Sequence, residues 1–194
     1  MQTEKFNRAI QEFDKANRAD PNEVVWQGTS YPKELLYGQQ MTACLNDFQP
    51  NASESLQLAA RAQHICRWEI PRKSFPMNKE GYHLWRNSLK KFHAEKAAGI
   101  LLEVGYDQPT IDQVKFLLQK KQLKRNSDTQ TLEDVICLVF LQYYMEDFAA
   151  HNTEEKMIQI LQKTWGKMSE VGQEKALTLK LPASIVPIIQ KALS

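Results

Sequence analysis

Apolar residues recur at helical spacing along most of the chain, and they divide it into a succession of helices. Phe6, Ile10 and Phe13 share a face between Thr3 and Asn17, and Asp20-Pro21-Asn22 closes that segment. After a link that holds Gly28, Thr29 and Ser30, Pro32 is placed to open a second helix running to about Phe48. Asn51-Ala52-Ser53 offers N-cap chemistry for a third helix, which carries Leu58 to Trp68. Arg67 to Asn78 reads as a loop, because Pro71 and Pro76 each lack a backbone donor. Asn78 caps a long fourth helix ending at Gly105, and a fifth runs from about Thr110 to Lys121. A sixth, apolar nearly all round and so central, runs from Thr131 to about Phe148. Thr153 to Met168, Glu170 to Leu179 and Ala183 to Leu193 complete the series. No β-alternation of useful length stands out, so the expected fold is all-α.

Some helical faces carry polar residues that packing alone does not require. At about 100° per residue, Arg61, His64 and Trp68 fall in one quadrant of the third helix. On the fourth, Tyr82, Arg86, Leu89, His93, Ala97 and Ile100 share a face, with Lys90 at its margin. On the sixth, Glu133 projects with Cys137, Phe140 and Tyr144, and Asp134 with Leu138 and Leu141. Buried charges need answering partners, so Arg61, His64, Arg86, His93, Glu133 and Asp134 are candidates for one shared pocket. Histidine and carboxylate groups together suit a divalent metal ion, which would deliver hydroxide to a phosphoryl group. Arg67, Arg72 and Lys90 would hold phosphate oxygens, while Trp68, Tyr82 and Trp85 would stack on a base or exclude water.

Bulk properties narrow the setting. The 194 residues fit one compact domain spanning 1–194, with 25 basic against 23 acidic residues and 42% apolar content. A net charge of +2 is too small for general nucleic-acid binding, so any anion recognition is local. No apolar run is long enough to span a bilayer, and Met1 to Arg8 contains no secretory h-region, which points to the cytoplasm. Cys44, Cys66 and Cys137 lack metal or redox spacing and read as buried thiols. The basic run from Gln119 to Arg125 reads as a solvated helix end.

Tyr31-Pro32-Lys33-Glu34-Leu35-Leu36-Tyr37, Ala60-Arg61-Ala62-Gln63-His64-Ile65, Arg67-Trp68-Glu69-Ile70-Pro71-Arg72, Phe92-His93-Ala94-Glu95 and Gln130-Thr131-Leu132-Glu133-Asp134-Val135 carry a resemblance to the family labelled domain of unknown function 4202, a label without an activity. More distantly, the helix order is similar to the HD-domain superfamily of metal-dependent phosphohydrolases, with an HD-like core at about 30–150. That resemblance implies metal ligation by His64 and Asp134, with Glu34 on the early helix and His93 as an added histidine. Gln63-His64 stands where the superfamily has His-Asp.

The leading expectation is a phosphohydrolase or related enzyme acting on a small phosphorylated or nucleotide-like substrate. His64, His93 and Glu133 would be its catalytic groups, and His64, Asp134 and Glu34 would hold a divalent cation. Arg61, Arg67, Trp68, Arg72, Tyr82, Arg86 and Lys90 would bind the anion. The alternative is a non-catalytic helical module for a nucleotide, RNA or a protein partner. A third is a scaffold whose buried charges only pair with one another.

Overall fold

A computed structural model describes residues 3–193; Met1, Gln2 and Ser194, which the expected 1–194 domain includes, lie outside the described residues. The elements are α1 (Glu4–Asn17), β1 (Glu23–Trp26), β2 (Thr29–Pro32), α2 (Lys33–Phe48), α3 (Glu54–Arg61), α4 (Lys79–Val104), α5 (Gln108–Leu118), α6 (Ser127–Val139), α7 (Met145–Ala150), α8 (Glu154–Trp165), α9 (Glu170–Leu177) and α10 (Val186–Leu193). Two turns of 3-10 helix, Arg67–Glu69 and Arg72–Ser74, lie between α3 and α4. The fold is all-α apart from the hairpin of β1 and β2.

Helix starts follow local chemistry. The side chains of Thr3, Ser53, Asn78 and Thr153 accept backbone N–H bonds at the starts of α1, α3, α4 and α8. Gly105 ends α4 at φ 94°, a conformation glycine enters without a Cβ clash. Pro32 offers α2 no side-chain cap, and the carboxylate of Asp20 instead accepts the Glu34 N–H at 3.0 Å. The hairpin was not visible as alternation because each strand has only four residues. Its turn is made by Gln27 and Gly28, both at positive φ, the backbone of a two-residue type I′ hairpin.

Two apolar clusters hold the helices. The larger joins α1 to α6 through residues such as Phe13, Met41, Leu45, Leu58, Leu101, Leu117 and Leu132. The second packs the end of α6 against the later helices through Leu138, Leu141, Met145, Met157, Leu161 and Ile185. Between α6 and α7 the chain widens into a π-helical turn, Phe140–Tyr144. Four-residue steps on a regular α-helix drift by about 40° each. The wider turn offsets this drift, and Ile136, Phe140, Tyr144 and Phe148 all reach one cavity wall.

The expected third helix is shorter than its hydrophobic pattern suggested. It stops at Arg61; Ala62 to Cys66 form tight turns, and Cys66 stands at φ 51° with its N–H donated to Asn17 Oδ1 at 2.9 Å. Arg61, His64 and Trp68 therefore do not share a helical quadrant. Arg61 turns to α1, where Nε and Nη2 donate to the two oxygens of Asp14 at 2.7 and 2.6 Å. Its Nη1 donates to Thr42 Oγ1 at 3.2 Å. This paired ion bridge joins α1, α2 and α3 and does not line the central cavity. Arg61→Ala should strand a largely buried carboxylate and cost about 3–5 kcal/mol in urea unfolding, without changing anion affinity at temperatures where the variant is folded.

Candidate functional site

A cavity of about 440 Å³ opens between α2, the turns after α3, the start of α4, the end of α5, the α6–α7 segment and α8. Five basic side chains line it, Lys33, Arg67, Arg86, Lys120 and Lys167, against two carboxylates, Glu34 and Glu133. His64, Gln63 and Tyr37 form a polar side, while Ile136, Phe140, Phe148 and Ile160 form an apolar one.

The polar side is a chain of defined hydrogen bonds. A guanidinium can only donate, so Arg67 Nη1, 2.8 Å from His64 Nε2, fixes that nitrogen as an acceptor. The imidazole proton then sits on Nδ1 and is donated to Glu34 Oε2 at 3.2 Å. The ring stacks on Tyr37 with centroids 4.0 Å apart, which holds its plane. Burial, followed by Arg67, Arg86, Lys120 and Lys33, pushes the His64 pKa well below the usual range, so the ring is neutral. Burial raises the Glu34 carboxyl above its ordinary range although Arg67 and Lys33 pull the other way. Asn17 positions both ends of this chain: its Nδ2 donates to the Glu34 carbonyl at 3.3 Å, and its Oδ1 accepts the Cys66 N–H that precedes Arg67.

The opposite wall rests on Glu133, which is 3% exposed. Lys120 Nζ donates directly to its Oε2, and Lys167 Nζ lies 3.8 Å from Oε1. Burial raises this carboxyl, but Lys120, Lys167 and Arg86 together outweigh it and hold it below the ordinary range. The inward turn of Lys120 comes from its backbone. The N–H of Lys120 donates to the Leu117 carbonyl, and that of Lys121 to the Phe116 carbonyl, the pattern of a Schellman helix end. Lys120 holds the left-handed position, φ 55°, that glycine usually fills, at a cost of about 1–2 kcal/mol. The basic run is thus not simply a solvated helix end; Lys124 is also engaged, donating to the Gly166 carbonyl.

Arg86 makes no hydrogen bond or ion pair among the described residues, although it faces this wall. Tyr82, 46% exposed, stands near it at the mouth.

Of the residues singled out by sequence, Glu34, His64, Arg67, Tyr82, Arg86 and Glu133 meet in the cavity. The others do not line it. Arg61 pairs with Asp14. Trp68 packs on the larger apolar cluster. Arg72 ties the preceding loop by donating to the carbonyls of Phe75 and Asn78, and Lys90 is half-buried elsewhere on α4. His93 sits behind His64, ring centroids 5.9 Å apart, its Nδ1–H donated to the Ile65 carbonyl at 2.9 Å. Its Nε2, like Gln63 Oε1, is buried without a hydrogen-bond partner among the described residues. Asp134 accepts from the Ser169 N–H and hydroxyl at 2.8 and 2.5 Å and from Gln130 at 3.0 Å, anchoring the start of α9. Lys33, Lys120 and Lys167 are pocket cations that the helical patterns did not select.

The implied divalent metal does not fit this donor set. Among the described residues no group of three or more His, Cys, Asp or Glu is placed to hold one. Asp134 is committed to α9, the Nε2 of His64 already accepts from Arg67, and the surrounding charge repels cations. Cys137 is an unpromising ligand because burial, with Glu133 beside it, pushes its thiol up to about 12.

Fold and cavity define an all-α protein with a cation-lined pocket built around a neutral histidine. The chain belongs to the family described as domain of unknown function (DUF4202), which it matches over residues 7–189. No curated protein and no solved structure matches it. No helix among the described residues is long and apolar enough to cross a membrane.

Two outcomes follow from the electrostatics. Lys120→Gly should relieve the left-handed strain yet leave the Glu133 carboxyl buried without its hydrogen-bonded cation, facing only Lys167 and Arg86; its pKa, followed by side-chain carbon NMR, should rise. Burial lowers the His93 pKa from 6.5 to about 3. The unfolded chain therefore binds a proton between these values that the folded chain does not, so stability is full above 6.5 and falls as pH drops. Urea midpoints should decline from pH 7 towards pH 4, and His93→Asn should flatten that decline.

Proposed function

We propose that the protein is an enzyme that binds a small phosphomonoester in this cavity and hydrolyses it. The observation that carries the reading is the convergence of Arg67, Arg86, Lys120, Lys33 and Lys167 on one pocket in a chain of nearly balanced charge, with Arg86 unpaired. Planar guanidinium groups suit phosphate oxygens, and the two carboxylates are already occupied by His64 and Lys120. Ile136, Phe140, Phe148 and Tyr82 offer the rest of the substrate an apolar or planar surface. A nucleotide-like or aromatic ester fits that surface better than a sugar phosphate.

The phosphate chemistry agrees with what a distant likeness to HD phosphohydrolases implies, but no metal step is carried over, since the ligand set differs. The cations neutralise the bound phosphate and the charge that develops on its oxygens. His64 is the neutral acid–base or nucleophilic group, oriented by Glu34 through its Nδ1–H.

Calorimetric titration with phosphate and with phenyl phosphate tests the reading. Binding should weaken as salt rises, and Arg86→Ala should reduce affinity about tenfold to a hundredfold, the scale of one lost charged hydrogen-bonding partner, with no fall in melting temperature. Unaltered affinity in Arg86→Ala would contradict it. Binding without turnover across a phosphomonoester panel would favour a non-catalytic module.

A further inference from the structure

The pocket contains few groups able to attack phosphorus. The Tyr144 hydroxyl is donated to Gln40 Oε1 at 2.6 Å, and the Thr164 hydroxyl to the Ile160 carbonyl at 2.8 Å. Burial pushes the Tyr37 phenol and the Cys137 thiol away from their reactive anions. Glu133 is held by Lys120. His64 Nε2 differs from all of these. It is a lone pair on a neutral ring, its other nitrogen is engaged by Glu34, its plane is fixed by Tyr37, and it is in direct contact with the guanidinium of Arg67. The group suited to hold a phosphate oxygen and the nitrogen suited to attack phosphorus are adjacent, with no water-sized gap between them.

We propose that His64 Nε2 is the nucleophile, forming a covalent phosphohistidine during hydrolysis; this rests on the phosphomonoester reading above. Arg67 moves its hydrogen bond from Nε2 to a phosphate oxygen, which frees the lone pair. Nε2 then forms a bond to phosphorus as the ester P–O bond breaks. The leaving oxygen keeps that electron pair and takes a proton from the Lys120 ammonium on the opposite cavity wall. The imidazolium so formed keeps its Nδ1–H on Glu34, whose carboxylate offsets the new positive charge. Water next attacks phosphorus and gives a proton to the Lys120 amine. The P–N bond breaks, its electron pair returns to Nε2, and phosphate leaves. The sum is ester plus water to alcohol plus phosphate, and both side chains are restored.

The test is rapid-quench mixing of the full chain with para-nitrophenyl phosphate at neutral pH, in the presence of a chelator. Samples are quenched in alkali, where phosphohistidine survives, and mapped by mass spectrometry. The expected result is a burst of nitrophenolate equal to the protein present, with one phosphoryl group on the peptide carrying His64, lost in acid. His64→Gln should remove the burst and slow single-turnover release by about a hundredfold or more, the scale of a lost catalytic group. Because the adduct is read in the unmodified protein, a poorly folded variant does not decide the outcome. Phosphate release through a full single turnover without adduct on His64 would overturn the nucleophile and leave the phosphomonoester reading standing. Absence of both calorimetric phosphate binding and release would overturn the two together.

Discussion

Five positive side chains cannot share the wall of a 440 Å³ cavity unless something answers their charge. In this protein the answer is two buried carboxylates on opposite walls. Glu133 holds Lys120 and draws Lys167, while Glu34 holds His64 and lies 4.0 Å from Arg67 Nε. Each carboxylate comes from the first turns of a helix packed into the larger core, α2 for Glu34 and α6 for Glu133. Desolvation makes such groups costly in isolation; the cations outweigh that cost at Glu133 and only reduce it at Glu34. The residual positive charge, which includes Arg86 and Lys33, neither with an ion pair among the described residues, is what an anionic ligand would neutralise.

The backbone accepts strain to make this arrangement. Lys120 occupies a left-handed position where glycine would be easier, and Cys66 does the same just before Arg67. Both unfavourable conformations end in a pocket cation. The π-helical turn after α6 is a third departure from regular geometry, and it brings Phe140, Tyr144 and Phe148 to the same wall. Three of these irregular segments thus place side chains in the cavity wall, while the positive-φ residues Gln27, Gln122 and Lys124 lie outside its lining.

Helical periodicity made much of this legible. The face of Glu133, Cys137, Phe140 and Tyr144 was readable from the sixth helix and is a wall of the cavity. Tyr82 and Arg86 project together from α4 as their spacing requires. Arg61 was misplaced because the projection assumed that a helix continued through Ala62 to Trp68, whereas the chain turns at Ala62 and releases Arg61 towards Asp14. Asp134 is a neighbour of Glu133 in sequence but turns to the start of α9, where Ser169 meets it. Lys120 could not be found from periodicity, since its direction depends on a single positive φ; Lys33 enters the pocket from the first position of α2 and Lys167 from the turn between α8 and α9. The hairpin fell below the length at which alternation is recognisable.

The central claim, that this is an anion pocket and not a cation site, is tested most directly by crystals of the protein soaked separately in tungstate and in manganese. Anomalous diffraction should locate tungstate among Arg67, Arg86 and Lys120 beside His64, with Arg86 newly engaged by its oxygens, and no manganese there. Manganese coordinated by His64 and Glu34, with tungstate absent from the cavity, would contradict the account.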